Sequence, residues 1–261
     1  MDRWRGHVAI VTGASSGIGL RLVERLLSEG LLVAGLARRL ELMKPRQGFL
    51  PIRCDVSKED QVLEAFRRVE RELGPVRLLV NSAGVLYPDT ILDSNADNLS
   101  ETLEVNVLGA TLCAREALRS MMRQQIDNPL FFGHIVNINS LAGHNAALVR
   151  QPVGLYCASK YALTGLCESL RVEVAAKKAR IKITSISPGG VKTEMIQRAG
   201  VPDELMETAP LLSPDDVCDA IIYALGTPEK VQVNELMISC LDYATESDVE
   251  KTKDSNTVNA I

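Results

Sequence analysis

The chain predicts an α/β fold of the doubly wound kind, one domain built on a parallel sheet of seven strands. Three observations carry that expectation. Short apolar runs alternate with segments of helical period along the 261 residues, the pattern of strands covered on both faces by crossover helices. A glycine-rich turn follows the first run directly. No internal repeat or low-complexity linker divides the chain, and its length is within reach of a single α/β domain.

Taken in order, residues 7–11 read as the first strand and 18–27 as an amphipathic helix. Apolar runs at 31–37 and 49–54 supply strands two and three. Over 58–73, Val62, Leu63, Phe66, Val69 and Leu73 recur at helical spacing, with Ser57 as the expected cap. Strand four is expected at 77–80, two helical stretches across 97–124, and strand five at 133–139. A long helix at 156–176, strand six at 181–187, a helix at 214–225 and strand seven at 235–238 complete the domain, which spans 1–241. Residues 189–213 lack a clean period and form an expected lid after strand six. Residues 242–261 are polar and read as a loosely held tail.

Composition narrows the function classes. Apolar residues make up 46% and charged residues 24%, and the formal net charge is −4, so no basic face is available for nucleic acid. The longest run without Asp, Glu, Lys or Arg is 22 residues, 128–149, and carries His134, Asn137, Asn139 and His144, too polar to span a bilayer. No secretory hydrophobic segment precedes Val8, and the C-terminal Asn259-Ala260-Ile261 is neither a prenylation box nor a peroxisomal tripeptide. Six scattered cysteines without a C-x-x-C pair read as reduced and mostly buried. The expected address is the cytoplasm.

Thr12-Gly13-Ala14-Ser15-Ser16-Gly17-Ile18-Gly19 lies between the first strand and the first helix. Glycines there permit positive φ and let the backbone approach a pyrophosphate, which the helix N-terminus attracts. At the end of strand two stand Ala37-Arg38-Arg39 rather than the acid that would hold a ribose diol. Guanidinium forms charge-assisted bonds to a 2′-phosphate, so NADP is expected over NAD. Two solvated surface arginines are the plain alternative. Asp55, after strand three, is placed to accept the adenine amino group or to cap a helix.

Tyr156 and Lys160 stand at i and i+4 on one helix face. A phenol is a poor proton-transfer group at neutral pH, with a reference pKa of ~10, and a neighbouring cation favours its phenolate. Alone, that pair would be a solvated coincidence. Asn81-Ser82-Ala83-Gly84 closes strand four, Asn106 lies on a helix ahead of strand five, and Ser140 ends that strand. Carboxyl ends of strands converge on one crevice in a doubly wound sheet. A serine beside the phenol could hold a carbonyl or alkoxide oxygen.

On these motifs, together with Pro188-Gly189-Gly190-Val191-Lys192-Thr193, the chain resembles the short-chain dehydrogenase/reductase family over about residues 5–240. The resemblance implies a single-domain Rossmann fold, with Tyr156 as general acid/base and Ser140 orienting the carbonyl. It implies that Lys160 binds the nicotinamide ribose and lowers the Tyr156 pKa, and that Asn106 anchors a water of the proton relay. The cofactor would be held by Gly13, Ser15, Ser16, Gly17, Ile18, Gly19, Arg38, Arg39, Asp55, Val56, Asn81, Ala83, Gly84, Pro188, Gly189, Val191 and Thr193, with Tyr156 and Lys160. No metal is implied. Met1–Gly6 and the stretch Gly133–His144 resemble a narrower group of insect farnesol dehydrogenase-like and vertebrate cytosolic keto-steroid dehydrogenase/reductases. Two departures stand out: Ser82 replaces a usual second Asn, and the short 38–48 connection leaves room for a loop rather than a helix.

Met195, Ile196, Val201, Leu205, Met206, Leu211 and Leu212, with residues 141–155, would line an apolar lid suited to an isoprenoid or steroid-like alcohol or carbonyl. Helix 110–125, with Leu112, Ala114, Ala117, Leu118 and Met121, is the face on which the family resemblance implies a homodimer or homotetramer. An acyl-carrier-protein β-ketoacyl reductase is a second reading, needing a basic docking surface that Arg150 alone would begin. A non-catalytic NADP-binding redox sensor is a third, weighed against by the intact Ser140, Tyr156 and Lys160.

Overall fold

A computed structural model describes residues 1–128, 130–149, 151–198 and 210–241. The expected tail at 242–261 and the lid residues Val201, Leu205 and Met206 lie outside the described residues, as does Arg150.

Seven parallel strands form one sheet in the order β3-β2-β1-β4-β5-β6-β7. They are β1 (Val8–Thr12), β2 (Leu32–Ala37), β3 (Phe49–Arg53), β4 (Val76–Asn81), β5 (Gly133–Ile138), β6 (Ile181–Pro188) and β7 (Glu235–Ile238). β1 pairs with β2 on one side, Ile10 opposite Ala34, and with β4 on the other, Ile10 opposite Leu79. The chain therefore reverses direction across the sheet at β1/β4, and a crevice opens at the carboxyl ends of those strands.

The strands are apolar on both faces because helices cover both. α2 (Glu59–Glu72), α4 (Ala110–Asp127) and α5 (Tyr156–Ala176) pack on one face, where Ile10, Leu79, Ile135 and Ile183 meet Val62, Cys113 and Cys167. On the other, α1 (Gly17–Ser28) and α7 (Pro214–Gly226), which follows the short α6 (Glu194–Arg198), bury Leu22, Leu26, Val217 and Ile221 against Val11, Val80 and Ile186. Each such side chain contributes about 1.5–3 kcal/mol by leaving water. Ion pairs Arg21–Asp215 and Arg25–Asp219 tie α1 to α7 along their rims.

Four local expectations change. Ser57 does not cap α2: Lys58 is the N-cap, and Ser57 instead donates to Asp55 Oδ1 at 2.8 Å. The two helical stretches are one continuous rod, α3 (Ala96–Leu103), a π-helical segment Glu104–Gly109, and α4. The α4 stripe of Leu112, Ala114, Ala117, Leu118 and Met121 is consumed by this chain's own core, so it is not a free interface. Ser140 lies beyond β5, as the N-cap of a 3-10 turn, Leu141–Gly143. Between β2 and β3 the described backbone makes a 3-10 turn, Leu40–Leu42, and no α-helix, as the short connection suggested.

Candidate active site

Steric contacts explain the glycine turn. Gly13 has φ +67°, and a Cβ there would lie 2.9 Å from the Ala83 backbone. A Cβ on Gly19 would come within 2.4 Å of the Gly13 carbonyl oxygen, so this glycine lets helix and strand close on each other. Gly17, at φ +53°, faces Thr193. Thr12 Oγ1 accepts from the backbone N–H of both Ser82 and Ala83 at 3.0 Å, which fastens the β1 turn to the end of β4 without help from the Ser82 side chain. Ser16 is the N-cap of α1 yet makes no side-chain capping bond. The first-turn N–H groups of α1 are thus left for an anion.

This turn floors a cavity of about 420 Å³ at the β1/β4 crevice. Gly13, Ser15, Ser16, Gly17, Ile18, Gly19, Arg38, Arg39, Asp55, Val56, Ala83, Gly84, Ser140, Tyr156, Lys160, Pro188, Gly189, Val191 and Thr193 all line it. Two expected residues do not. Asn81 is buried and turned into the sheet, donating to Ala110 O at 3.1 Å and Asn137 Oδ1 at 2.9 Å. Asn106 is buried in the π segment, where its Nδ2 donates to Val85 O and Ser159 Oγ at 3.0 Å and its Oδ1 accepts from Val85 N at 2.8 Å. Both ends of that side chain are spent on protein, so Asn106 fixes the chain leaving β4 and the first turn of α5 rather than offering its amide to a water.

The arginines at the end of β2 are not the free cations the sequence suggests. Arg38 Nη1 donates to Glu101 Oε1 at 2.6 Å, and the Tyr87 hydroxyl donates to the other oxygen of Glu101. Arg39 Nη2 donates to Ser16 Oγ at 2.9 Å and to Glu194 Oε2 at 3.0 Å. A 2′-phosphate would meet each guanidinium with a carboxylate already at its side. Asp55 Oδ1 accepts from Ser57 N at 3.0 Å and Ser57 Oγ at 2.8 Å, an Asx turn that orients the carboxylate at the cavity edge.

Tyr156 opens α5 and Lys160 follows one turn later, with its ammonium 5.5 Å from the phenol ring centroid. Lys160 is 6% exposed and donates to Ile138 O at 2.9 Å. Burial pushes the Tyr156 phenol up to about 12, and a hydrogen bond with Ser140 works in the opposite direction. Burial likewise brings Lys160 down to about 8. Desolvation drives both groups toward their neutral forms, so a phenolate here needs positive charge close by. Ser140 Oγ also accepts from Ala142 N at 3.1 Å, which fixes the side chain on its turn.

Apolar walls flank this polar floor: Leu86, Pro88, Met195 and Ile196 line the same cavity, while Leu211 and Leu212 pack at Gly190 and Val191. Glu101, Glu194, Tyr87 and Ser159 are site residues with no mark in the sequence. Glu101 lies 63 positions from Arg38 and Glu194 lies 155 from Arg39. The one legible hint is that two adjacent arginines at a cavity edge need nearby acids. No group of His, Cys, Asp and Glu among the described residues could hold a metal ion.

Fold and floor together define a nucleotide-dependent oxidoreductase of the Rossmann type. The chain belongs to the short-chain dehydrogenase/reductase family, whose model, described as short chain dehydrogenase, matches residues 7–202. It is 43% identical to farnesol dehydrogenase of Aedes aegypti over 91% of this chain and 97% of that protein. It is 36% identical to dehydrogenase/reductase SDR family member 11 of Bos taurus, over 94% of this chain and 100% of that protein. Among solved structures, an alcohol dehydrogenase from the archaeon Thermococcus sibiricus complexed with 5-hydroxy-NADP aligns at a TM-score of 0.74 and 28% identity, covering 92% of this chain and 98% of that one. No described helix is long and apolar enough to cross a membrane.

Proposed function

We propose that this oxidoreductase transfers a hydride between NADP(H) and an apolar alcohol or carbonyl compound, of the farnesol/farnesal or keto-steroid type, in the cytoplasm. The observation that carries the proposal is the convergence of Ser140, Tyr156 and Lys160 on the cavity floored by the glycine turn. When bound, the nicotinamide supplies the hydride acceptor or donor. The residues present fit such a group. The uncapped N-terminus of α1 would hold the phosphates, Arg38 and Arg39 the 2′-phosphate and Asp55 the adenine, while Lys160 would bind the nicotinamide ribose and Val191 and Thr193 the carboxamide.

Ser140 holds the substrate oxygen and Tyr156 moves its proton: the phenolate takes it in oxidation, and the phenol returns it in reduction. The phenolate requires positive charge to offset desolvation, and Lys160 supplies part of it while protonated, below about pH 8. NADP is favoured over NAD because Arg38 and Arg39 stand where an NAD site carries an acid. The apolar lining and the farnesol dehydrogenase relative support the substrate class. A homodimer or homotetramer would have to use residues other than the buried stripe of α4.

NADP+ and NAD+ reduction with farnesol and with a panel of aliphatic and steroid alcohols tests the reading directly. Tyr156→Phe is expected to lower turnover ~100-fold or more, the range of lost general acid–base catalysis. Wild-type turnover by the folded variant would refute the role given to the phenol.

A further inference from the structure

A cluster of Ser, His and Glu lies just behind the catalytic turn. His144 Nε2 is 3.1 Å from Ser187 Oγ and 3.4 Å from Glu235 Oε1, and Ser187 Oγ donates to Glu235 Oε1 at 2.5 Å. The three residues come from the turn after β5, from β6 and from β7. These are the residue types of a hydrolytic triad, but Ser187 is fully buried and gives its proton to the carboxylate. It is no nucleophile. With the hydroxyl's one proton committed to Glu235, the His144 ring must donate, so Nε2 carries a hydrogen.

The same segment is gripped from its other side. Tyr161 Oη on α5 donates to His144 O at 2.6 Å, and a Cβ on Gly143 would strike Lys160 O at 2.7 Å. Three short backbone bonds run through the turn: Gly143 N to Ser140 O, His144 N to Leu141 O and Asn145 N to Leu141 O. Any displacement of His144 is thereby passed to Ser140 within one turn. Ser187 in turn precedes Pro188 and Gly189, which line the nicotinamide end of the cavity.

We propose that His144 is a positioning residue that, through Ser187 and Glu235, sets the placement of the Ser140 hydroxyl against Tyr156. The proposal rests on the reading of Ser140 as the group that holds the substrate oxygen.

The test compares His144→Phe, His144→Gln and Ser140→Ala in the full chain, with NADP+ and farnesol as probes. His144→Phe is expected to lower kcat about tenfold with NADPH affinity unchanged within about twofold, and His144→Gln, whose amide can still donate to Ser187, to recover most of it. In the Ser140→Ala background, His144→Phe should cost little more. Wild-type kcat in folded His144→Phe, or the same loss with and without Ser140, overturns the proposal. A fully active Ser140→Ala instead overturns the reading beneath it. Should His144→Phe not fold, Glu235→Leu probes the same contact from β7, where a loss of kcat supports the proposal and a wild-type kcat overturns it. Imidazole 15N resonances give a readout free of turnover: with three histidines in the chain, His144 is expected to carry a hydrogen on Nε2, and a protonated Nδ1 with bare Nε2 would overturn the contact.

Discussion

Two lysines are almost equally buried in this molecule, Lys160 at 6% and Lys182 at 4% exposure, and their surroundings give them opposite parts. Lys182, near the amino end of β6, donates to Thr227 O at 3.3 Å, Thr227 Oγ1 at 3.1 Å and Pro228 O at 2.7 Å, and its ammonium lies 5.1 Å from the Phe132 ring centroid. Its three protons are spent on the protein. Lys160, at the carboxyl end of the sheet, has one described partner, Ile138 O, and faces the cavity. Burial depresses both pKa values. Burial alone is therefore no mark of function. Uncommitted donors aimed into a crevice are, because they represent desolvation that no intramolecular bond repays.

The largest expected consequence of that contrast is in turnover. Lys160→Met should cost ~100-fold or more in kcat/KM, on the scale of lost acid–base catalysis, whereas Lys182→Met should leave turnover near wild type. Steady-state rates on both variants check this, and an active Lys160→Met would erase the distinction.

The next effect is on stability against pH. Lys160 has a folded pKa near 8 against an unfolded value of 10.5. Between those values the unfolded chain binds more protons, so stability rises with pH across that window and the full penalty applies below about pH 8. Denaturant melts of wild type and Lys160→Met should converge by up to about 3 kcal/mol from the lower to the upper end of the window. Parallel curves would show that the ammonium is better solvated than its burial implies.

For Lys182→Met the expectation is a loss of about 1–3 kcal/mol, because the carbonyls of Thr227 and Pro228 and the Thr227 hydroxyl lose their donor while buried. Unfolding free energy measures it, and an unchanged value would mean that solvent already reaches those carbonyls. Smallest is Arg38→Asp, whose side chain is 55% exposed and already paired with Glu101. It should weaken NADP(H) by about 1–2 kcal/mol, a charged hydrogen bond discounted for screening, with little change for NAD(H). Equal NADP affinity in the variant would place the phosphate site elsewhere.

How much of this was legible beforehand varies with the range of the contact. The seven strands and their boundaries are read from local apolar runs to within a few residues. The Tyr156/Lys160 pair is read from helical spacing. Ser57 is ambiguous in the sequence because a serine ahead of a helix has two competing partners, the helix N–H groups and a nearby carboxylate, and Asp55 is closer in sequence. Asn106 was legible as a site residue but not in its contacts, since a π segment in mid-helix turns its side chain toward Val85 and Ser159. The partner of the α4 stripe is not legible in the sequence, because a periodic apolar face shows that something covers it without showing what.

By itself the sequence determined the α/β order, the glycines that a tight turn demands, and the phenol, ammonium and hydroxyl that meet at the cavity floor. Those follow from backbone sterics and from side-chain periodicity, which act over a few residues. The tertiary structure alone decided which acids neutralise Arg38 and Arg39, that Asn81 faces the core, and that burial raises the Tyr156 phenol and lowers the Lys160 ammonium. Charge pairing and desolvation depend on distances through space, and the chain sets those distances once it has closed on itself.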